Sequence, residues 1–359
     1  MRVPAPQIRR QLVSVFRAWG MSEEHADTTA EMMTENDLRG VDSHGISMLP
    51  TYDQEFRSGR LNMRPLFKTM REGPATALID ADASLGHPVS VHAMNLAVDK
   101  CLSSGVAVVS VFNSHHFGAA GCYAKIAADR GVIGMVTAGT RGVTMVPTFG
   151  AEPIMGTNPI AFAAPARRHP SFLLDMATTT VAAGKVKVHK LNHKPLPPGW
   201  VVDGDGRTVT DPEEAFRYVF ERPDGGITPL GGTREAGSHK GYGLAVLVHI
   251  LGGTLPGASF SPIRNRTQRP SDPHNIGHFF LAIDPRAFRD EGAFEEDLDQ
   301  VIDVLHNAKP ADPAQPVLVA GDPELTTRTE RLENGVPVPD DLMVQLRAVV
   351  ARAGVPFGL

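Results

Sequence analysis

Apolar residues open the chain at helical spacing. Ile8, Leu12, Phe16 and Trp19 fall on one face, and Gly20 follows as a stop. Ser22 then stands at an N-cap position, with Glu23 and Glu24 in the first turn, where the helix dipole favours carboxylates. The pattern carries this second helix through Ala26, Ala30 and Met33 to about Arg39, and Gly40 ends it. The segment VDSHGI that follows therefore sits at a junction between elements. From about Thr76 the pattern changes to short apolar runs, ATALIDAD and VAVVSVF, which read as buried strands. A helical stretch around Val89–Ser103 separates them, and a further helix, Gly121–Asp129, precedes VIGMVTAG. IAFAAPA, SFLLDMA and, much later, FFLAIDP continue in the strand style. This alternation predicts an α/β core.

Between and after these runs the pattern breaks. Residues 192–212 are rich in Pro, Gly and Asp and read as a loop, 241–252 as a buried helix, and the polar stretch 261–275 as a mobile excursion. Amphipathic helices at 290–307 and 339–352 close the chain. No repeat or low-complexity run occurs.

Composition narrows the function classes. The chain has 359 residues, enough for two domains, with 42% hydrophobic and 21% charged residues, as in a globular enzyme. Its 35 Lys and Arg against 40 Asp and Glu give a formal net charge of −5. That balance supplies no basic footprint for nucleic acid or an anionic membrane surface. Cys101 and Cys122 are the two cysteines, too few for a disulfide framework or a cysteine zinc site. Charges scattered through the first twenty residues interrupt any signal-peptide core, and His249 with several glycines breaks the most apolar stretch, 241–260. The expectation is a cytoplasmic protein.

The commonest phosphate cradles are missing: no GxGxxG and no Walker A sequence occurs. His189/His193 and His274/His278 have the spacing of paired metal ligands, but no carboxylate accompanies them. They read as surface histidines, and no metal is expected. Two histidine segments look more purposeful. Asp42-Ser43-His44-Gly45 lies at the helix junction, and Asn113-Ser114-His115-His116-Phe117-Gly118 follows a strand, where ligands of α/β sheets gather. An imidazole, with an ordinary pKa near ~6.5, exchanges protons readily at neutral pH, although a histidine can also simply cap a helix. Asp175 ends an apolar strand and needs a partner, and Lys240 opens a helix after a glycine-rich loop, as an anion anchor would. These residues point to an α/β enzyme with a histidine-centred site for a small anionic molecule.

RGVDSHGI, NSHHFGAAG, GTNPIAFAAPA, LDMAT, PPGWVVDGDG, SHKGYGL and NIGHFFLAIDP, in that order, resemble the malate/L-lactate dehydrogenase family, which lacks a Rossmann fold. Ureidoglycolate and sulfolactate dehydrogenases, diketogulonate reductase and cyclic imine carboxylate reductases are its relatives. The resemblance covers nearly the whole chain. It implies a non-Rossmann NAD(P)-binding α/β fold with a mixed sheet at 76–284, and a helical part in which 1–75 is joined by 285–359. It also implies a homodimer and hydride transfer between NAD or NADP and C2 of a small 2-hydroxy or 2-oxo carboxylate. A cyclic imine carboxylate is the alternative substrate, and an inactive anion-binding relative the third reading.

By the same resemblance His44 or His116 moves the proton, with Ser43 and Asp175 in a relay to the imidazole. Cofactor contacts carry over to Thr140, to Asp175, Met176, Ala177 and Thr178, to Lys240 and Gly241, and to Gly321, Asp322 and Pro323. Lys185 and Lys187 could meet a 2′-phosphate. The chain departs from the family at Met48, where an arginine usually clamps the substrate carboxylate. Arg141, in a position more often small and polar, is the expected replacement. Loss of the usual cation at position 48 weighs against a plain dicarboxylate substrate.

Overall fold

The computed structural model describes residues 1–359. β1 (Arg2–Val3) leads into α1 (Ala5–Ala18) and α2 (Glu23–Leu38). The apolar face expected for α1 is buried at Ile8, Leu12, Val15 and Phe16. Ser22 caps α2 by accepting the His25 N–H at 3.2 Å. A 3-10 turn (Ile46–Met48) then starts α3 (Leu49–Arg57).

A seven-stranded sheet forms the centre. Its strands are β2 (Lys68–Glu72) and β3 (Thr76–Asp80), then, after α4 (Gly86–Ser104), β4 (Val106–Ser114). α5 (Gly121–Asp129) leads to β5 (Ile133–Ala138), β6 (Ile160–Ala164) and β7 (Phe172–Met176). A long excursion follows, with α6 (Ala183–Leu191), β8 (Val201–Val202), β9 (Thr208–Val209), α7 (Pro212–Phe220) and β10 (Gly226–Ile227). α8 (Ser238–His249), a π-helical turn (Ile250–Thr254) and α9 (Ser261–Arg264) complete it before β11 (Ile276–Ile283) returns to the sheet.

The order is β2-β3-β4-β11-β5-β6-β7. Only β3 and β4 run parallel, with α4 as their crossover; the other neighbours are antiparallel. β11 lies fourth of the seven, which explains why Ile276–Phe280 is an unbroken buried run instead of an alternating one. Small residues let the layers close. A Cβ on Gly134 would meet Ala127 Cβ at 2.6 Å, and one on Gly277 would meet the Gly252 carbonyl oxygen at 2.3 Å.

α10 (Ala293–His306), α11 (Asp322–Asn334), β12 (Val336–Pro337) and α12 (Asp340–Ala353) finish the chain. β12 pairs with β1, and Met343, Leu346, Val349 and Val350 of α12 share one apolar core with α1, α2 and α3. α10 goes elsewhere: its buried Asp299 accepts N–H groups of Arg167, Arg168 and His169 at 3.3, 2.8 and 3.1 Å, beside the β6–β7 turn. The expected boundary at 75 falls between β2 and β3, which pair within the sheet. Residues 181–227 hold a small apolar core of their own.

Two segments differ from expectation. α8 begins at Ser238 and gives way to the π-helical turn after His249, where Gly252 allows the backbone to press against β5 and β11 and Gly253 leaves room for the His249 ring. The stretch 261–275 is tied down: Ser261 Oγ donates to the Thr140 carbonyl at 2.6 Å, and Arg264 Nη1 to the His274 carbonyl at 2.8 Å. No helix is long and apolar enough to cross a membrane.

Candidate active site

A cleft of about 650 Å³ opens beside the ends of β4, β5, β7 and β11, closed on its other side by the 41–48 junction and α3. That volume lies in the ~300–1,000 Å³ range of cofactor and ligand sites.

The junction is held from below. A Cβ on Gly45 would fall 1.8 Å from Asp37 Oδ1, so the loop passes only because position 45 has no side chain. Asp37 Oδ2 accepts the Ile46 N–H at 2.8 Å, and burial raises its pKa to about 8, keeping the carboxyl protonated at neutral pH. Asn36 Nδ2 donates to the His44 carbonyl at 3.0 Å. The His44 ring is thereby presented to the cleft, with Ser43 Oγ 2.8 Å from its Nδ1.

His116 comes from the opposite wall. β4 ends at Ser114, and the 115–118 turn is fixed by His115 N–H to the Ser84 carbonyl (3.1 Å) and Gly86 N–H to the His116 carbonyl (3.0 Å). The rings of His116 and His44 stack with centroids 5.3 Å apart and planes inclined by 29°. His116 Nδ1 meets the Tyr52 hydroxyl at 2.7 Å and the Gly118 N–H at 3.3 Å. A backbone N–H can only donate, so Nδ1 accepts and Nε2 carries the hydrogen of the neutral ring. Burial pushes His44 down to about 4 and His116 well below the ordinary histidine value, the charges of neighbouring groups adding to the latter. Both rings are neutral at pH 7.

The second end of the cleft is charged. Glu55 of α3 accepts from His274 Nε2 at 3.0 Å and Arg60 Nη1 at 3.1 Å, and pairs with Arg141. Burial alone would raise its pKa, but the hydrogen bond from His274 and the Arg141 and Arg60 cations hold it at about 2. Arg264 Nη2 fixes the Arg141 carbonyl at 3.0 Å. Glu55, His115 and His274 bring ligand-type atoms within 4.8 Å of one another, but guanidinium groups occupy both Glu55 oxygens, so the cluster is an ion-pair network.

His274 and His278 are therefore not surface histidines. His274 is buried against Glu55, and His278 lies inside β11 with Nε2 2.9 Å from Ser114 Oγ and its ring stacked on Phe117 at 4.5 Å.

The remaining candidates divide. Thr140, Arg141, Met48, Asp175, Met176 and Ala177 line the cleft. Asp175 does not hold an imidazole, however. Its Oδ2 accepts the Gly121 N–H at the start of α5 at 2.7 Å, and loss of hydration, with the Glu324 charge adding to it, raises its pKa to about 6. The Thr178 hydroxyl turns away to the Thr157 and Asn158 carbonyls at 3.1 and 3.0 Å. Lys240 is exposed on the first turn of α8, off the cleft wall, and Gly241 packs on the Leu230 backbone. Gly321, Asp322 and Pro323 start α11; Asp322 accepts from His306 at 2.7 Å, and Glu324, the next residue on, faces the cleft.

Tyr52, Glu55 and His274 were not foreseen. Met48, Tyr52 and Glu55 recur at i, i+4 and i+7, so ionisable groups share one face of α3 with an apolar residue, a signal visible in the sequence.

A malate/L-lactate dehydrogenase family profile matches residues 3–347. Malate dehydrogenase of Pyrococcus horikoshii is 38% identical over 357 residues, covering 99% of this chain and 96% of that protein. L-sulfolactate dehydrogenase of Methanocaldococcus jannaschii is 34% identical over 346 residues, 96% of this chain and 95% of that one. The crystal structure of malate dehydrogenase from Entamoeba histolytica superposes with a TM-score of 0.94 at 29% identity, covering 100% of this chain and 99% of that one. The chain belongs to the malate/L-lactate dehydrogenase family, oxidoreductases acting on small hydroxy acids.

Proposed function

We propose that this dehydrogenase moves hydride between a nicotinamide cofactor, NAD or NADP, and C2 of a small 2-hydroxy or 2-oxo acid, with His116 moving the proton. The observation that carries this reading is the pair of neutral imidazoles, His44 and His116, with ring centroids 5.3 Å apart on the lining of a cleft of cofactor size.

The cleft wall suits a dinucleotide. It is built of small residues at Ala119–Gly121 and Ala182–Gly184, and a Cβ on Gly184 would meet nothing within 4 Å. Thr140, Asp175, Met176 and Ala177 would hold the cofactor there, and it supplies or accepts the hydride.

Arg141 lies near enough for its charge to act on His116 and Tyr52. It anchors the substrate carboxylate, which places C2 and its oxygen beside Nε2 of His116. In oxidation the ring hydrogen first moves to Nδ1, which donates it to the Tyr52 oxygen in place of the Gly118 contact, and the freed Nε2 of His116 takes the hydroxyl proton. The bound carboxylate offsets the burial that disfavours the resulting imidazolium. Tyr52 accommodates both states, because a hydroxyl can donate to Nδ1 of the neutral ring or accept from Nδ1–H of the charged one. In reduction the same proton returns to the oxo oxygen. His44, backed by Ser43, is the alternative proton carrier. The working unit in this reading is a cytoplasmic homodimer.

The test is turnover of 2-oxo acids with NADH and NADPH, followed at the nicotinamide absorbance. His116→Ala is expected to lower kcat by about 10²–10⁴-fold, as loss of a general acid–base does, with cofactor affinity nearly preserved. Full activity in both His116→Ala and His44→Ala overturns the proposal.

A further inference from the structure

Five charged side chains line the cleft: Arg39, Glu55, Arg141, Asp175 and Glu324. Both cations are already committed. Arg39 Nε pairs with Glu35 Oε1 at 2.7 Å, and Arg141 pairs with Glu55. Arg60 and Arg264 stand behind the wall. Arg60 is spent on Glu55 and the Pro270 carbonyl, and Arg264 on the carbonyls of His274 and Arg141. Carboxylates thus outnumber guanidinium groups on the cleft surface, and the histidines facing it are neutral.

Three apolar residues of the cleft lie on segments that adjoin His116 or its partner. Met48 lies one helical turn before Tyr52, the His116 partner. Leu85 adjoins Gly86, whose N–H holds the His116 carbonyl, and Ile276 pairs with Ser114 at the end of β4. All three face the cleft.

We infer that the cleft selects a substrate carrying a single negative charge and an apolar tail, and that Glu55 is the residue that sets this preference. This rests on the hydride-transfer reading above. One substrate carboxylate can share Arg141 with Glu55, because a guanidinium has five N–H donors. A second carboxylate would meet either Glu55, a like charge in a partly desolvated site, or the Met48–Leu85–Ile276 wall, which offers it no donor.

The experiment compares kcat/KM for 2-oxobutyrate and oxaloacetate, acids of equal chain length in which a methyl group replaces a carboxylate, with NADH and with NADPH. The expected result is a preference for 2-oxobutyrate of about tenfold or more, the scale of a like-charge contact. Met48→Arg places a cation on the apolar wall and is expected to bring the ratio to parity or reverse it. Glu55→Gln is expected to shift the ratio towards oxaloacetate and Glu55→Asp, which keeps the charge, to leave it near the parent's; a Glu55→Gln ratio equal to the parent's overturns the assignment to Glu55, and Met48→Arg tests the apolar wall separately. A wild-type preference for oxaloacetate, or a ratio that Met48→Arg leaves unchanged, overturns the selectivity alone. Absence of turnover of both acids with both cofactors overturns the hydride-transfer reading and the selectivity with it.

Discussion

The two ends of the cleft solve opposite problems with similar residues. At one end the half-buried rings of His44 and His116 lie side by side, and desolvation keeps both neutral. At the other, His274 and two guanidinium groups surround Glu55, and their hydrogen bonds and charges keep that carboxylate ionised despite burial. The imidazole proposed to exchange a proton is kept beside a hydroxyl that can switch donor and acceptor roles, that of Tyr52. A group that must hold a charge is locked into ion pairs. On the proposed reading anchoring and proton transfer are thus separated along α3, which carries Tyr52 for one end and Glu55, three residues on, for the other.

Arg141→Ala breaks the charged end. It removes the proposed carboxylate anchor and leaves Glu55 facing the cleft with one cation fewer. KM for the preferred 2-oxo acid is expected to rise about tenfold to a hundredfold, the worth of a charge-assisted hydrogen bond, with a smaller change in kcat. An unchanged KM removes Arg141 from the substrate site.

His87→Leu sharpens the histidine end with a smaller effect. His87 is buried next to Tyr52, with ring centroids 5.7 Å apart, and neither of its ring nitrogens has a partner. Burial lowers its pKa to about 3, with the charges of His44 and His278 adding to the effect. As pH falls below ~6.5, the unfolded chain binds a proton that the folded chain refuses, so stability is lost towards pH 3 at ~1.4 kcal/mol per unit. Removing the ring abolishes that slope. The variant is expected to gain ~2 kcal/mol over the parent between pH 6.5 and pH 5, read as a difference in Tm or urea midpoint. Parallel stability curves for the two proteins over that range contradict the buried, neutral state of His87.

The sequence made the local features legible because their causes are local. The face of α1, the Ser22 cap and the apolar runs of the sheet depend on neighbours within a few residues. The two histidine junctions were legible for a similar reason: each follows an element whose end is marked. What escaped depends on distant contacts. Tyr52 meets a histidine 64 residues away, and Glu55 meets His274 across 219 residues. His274 was hidden by its polar surroundings, since a loop tied down by Arg264 has the composition of a mobile one. Asp175 was rightly expected to need a partner at the end of its strand. That partner is the Gly121 N–H, because α5 starts against β7, a juxtaposition no spacing in the chain announces.

The pH dependence of kcat/KM for hydroxy-acid oxidation tests the central claim most directly, because it reports the protonation of the free enzyme's base. Oxidation needs the neutral imidazole, and burial depresses His116, so activity should rise through an acid limb below the ordinary value of ~6.5 and stay level above it. The residual activity of His116→Ala should lack that limb. A limb at or above ~6.5, or one that survives the loss of His116, would contradict the account.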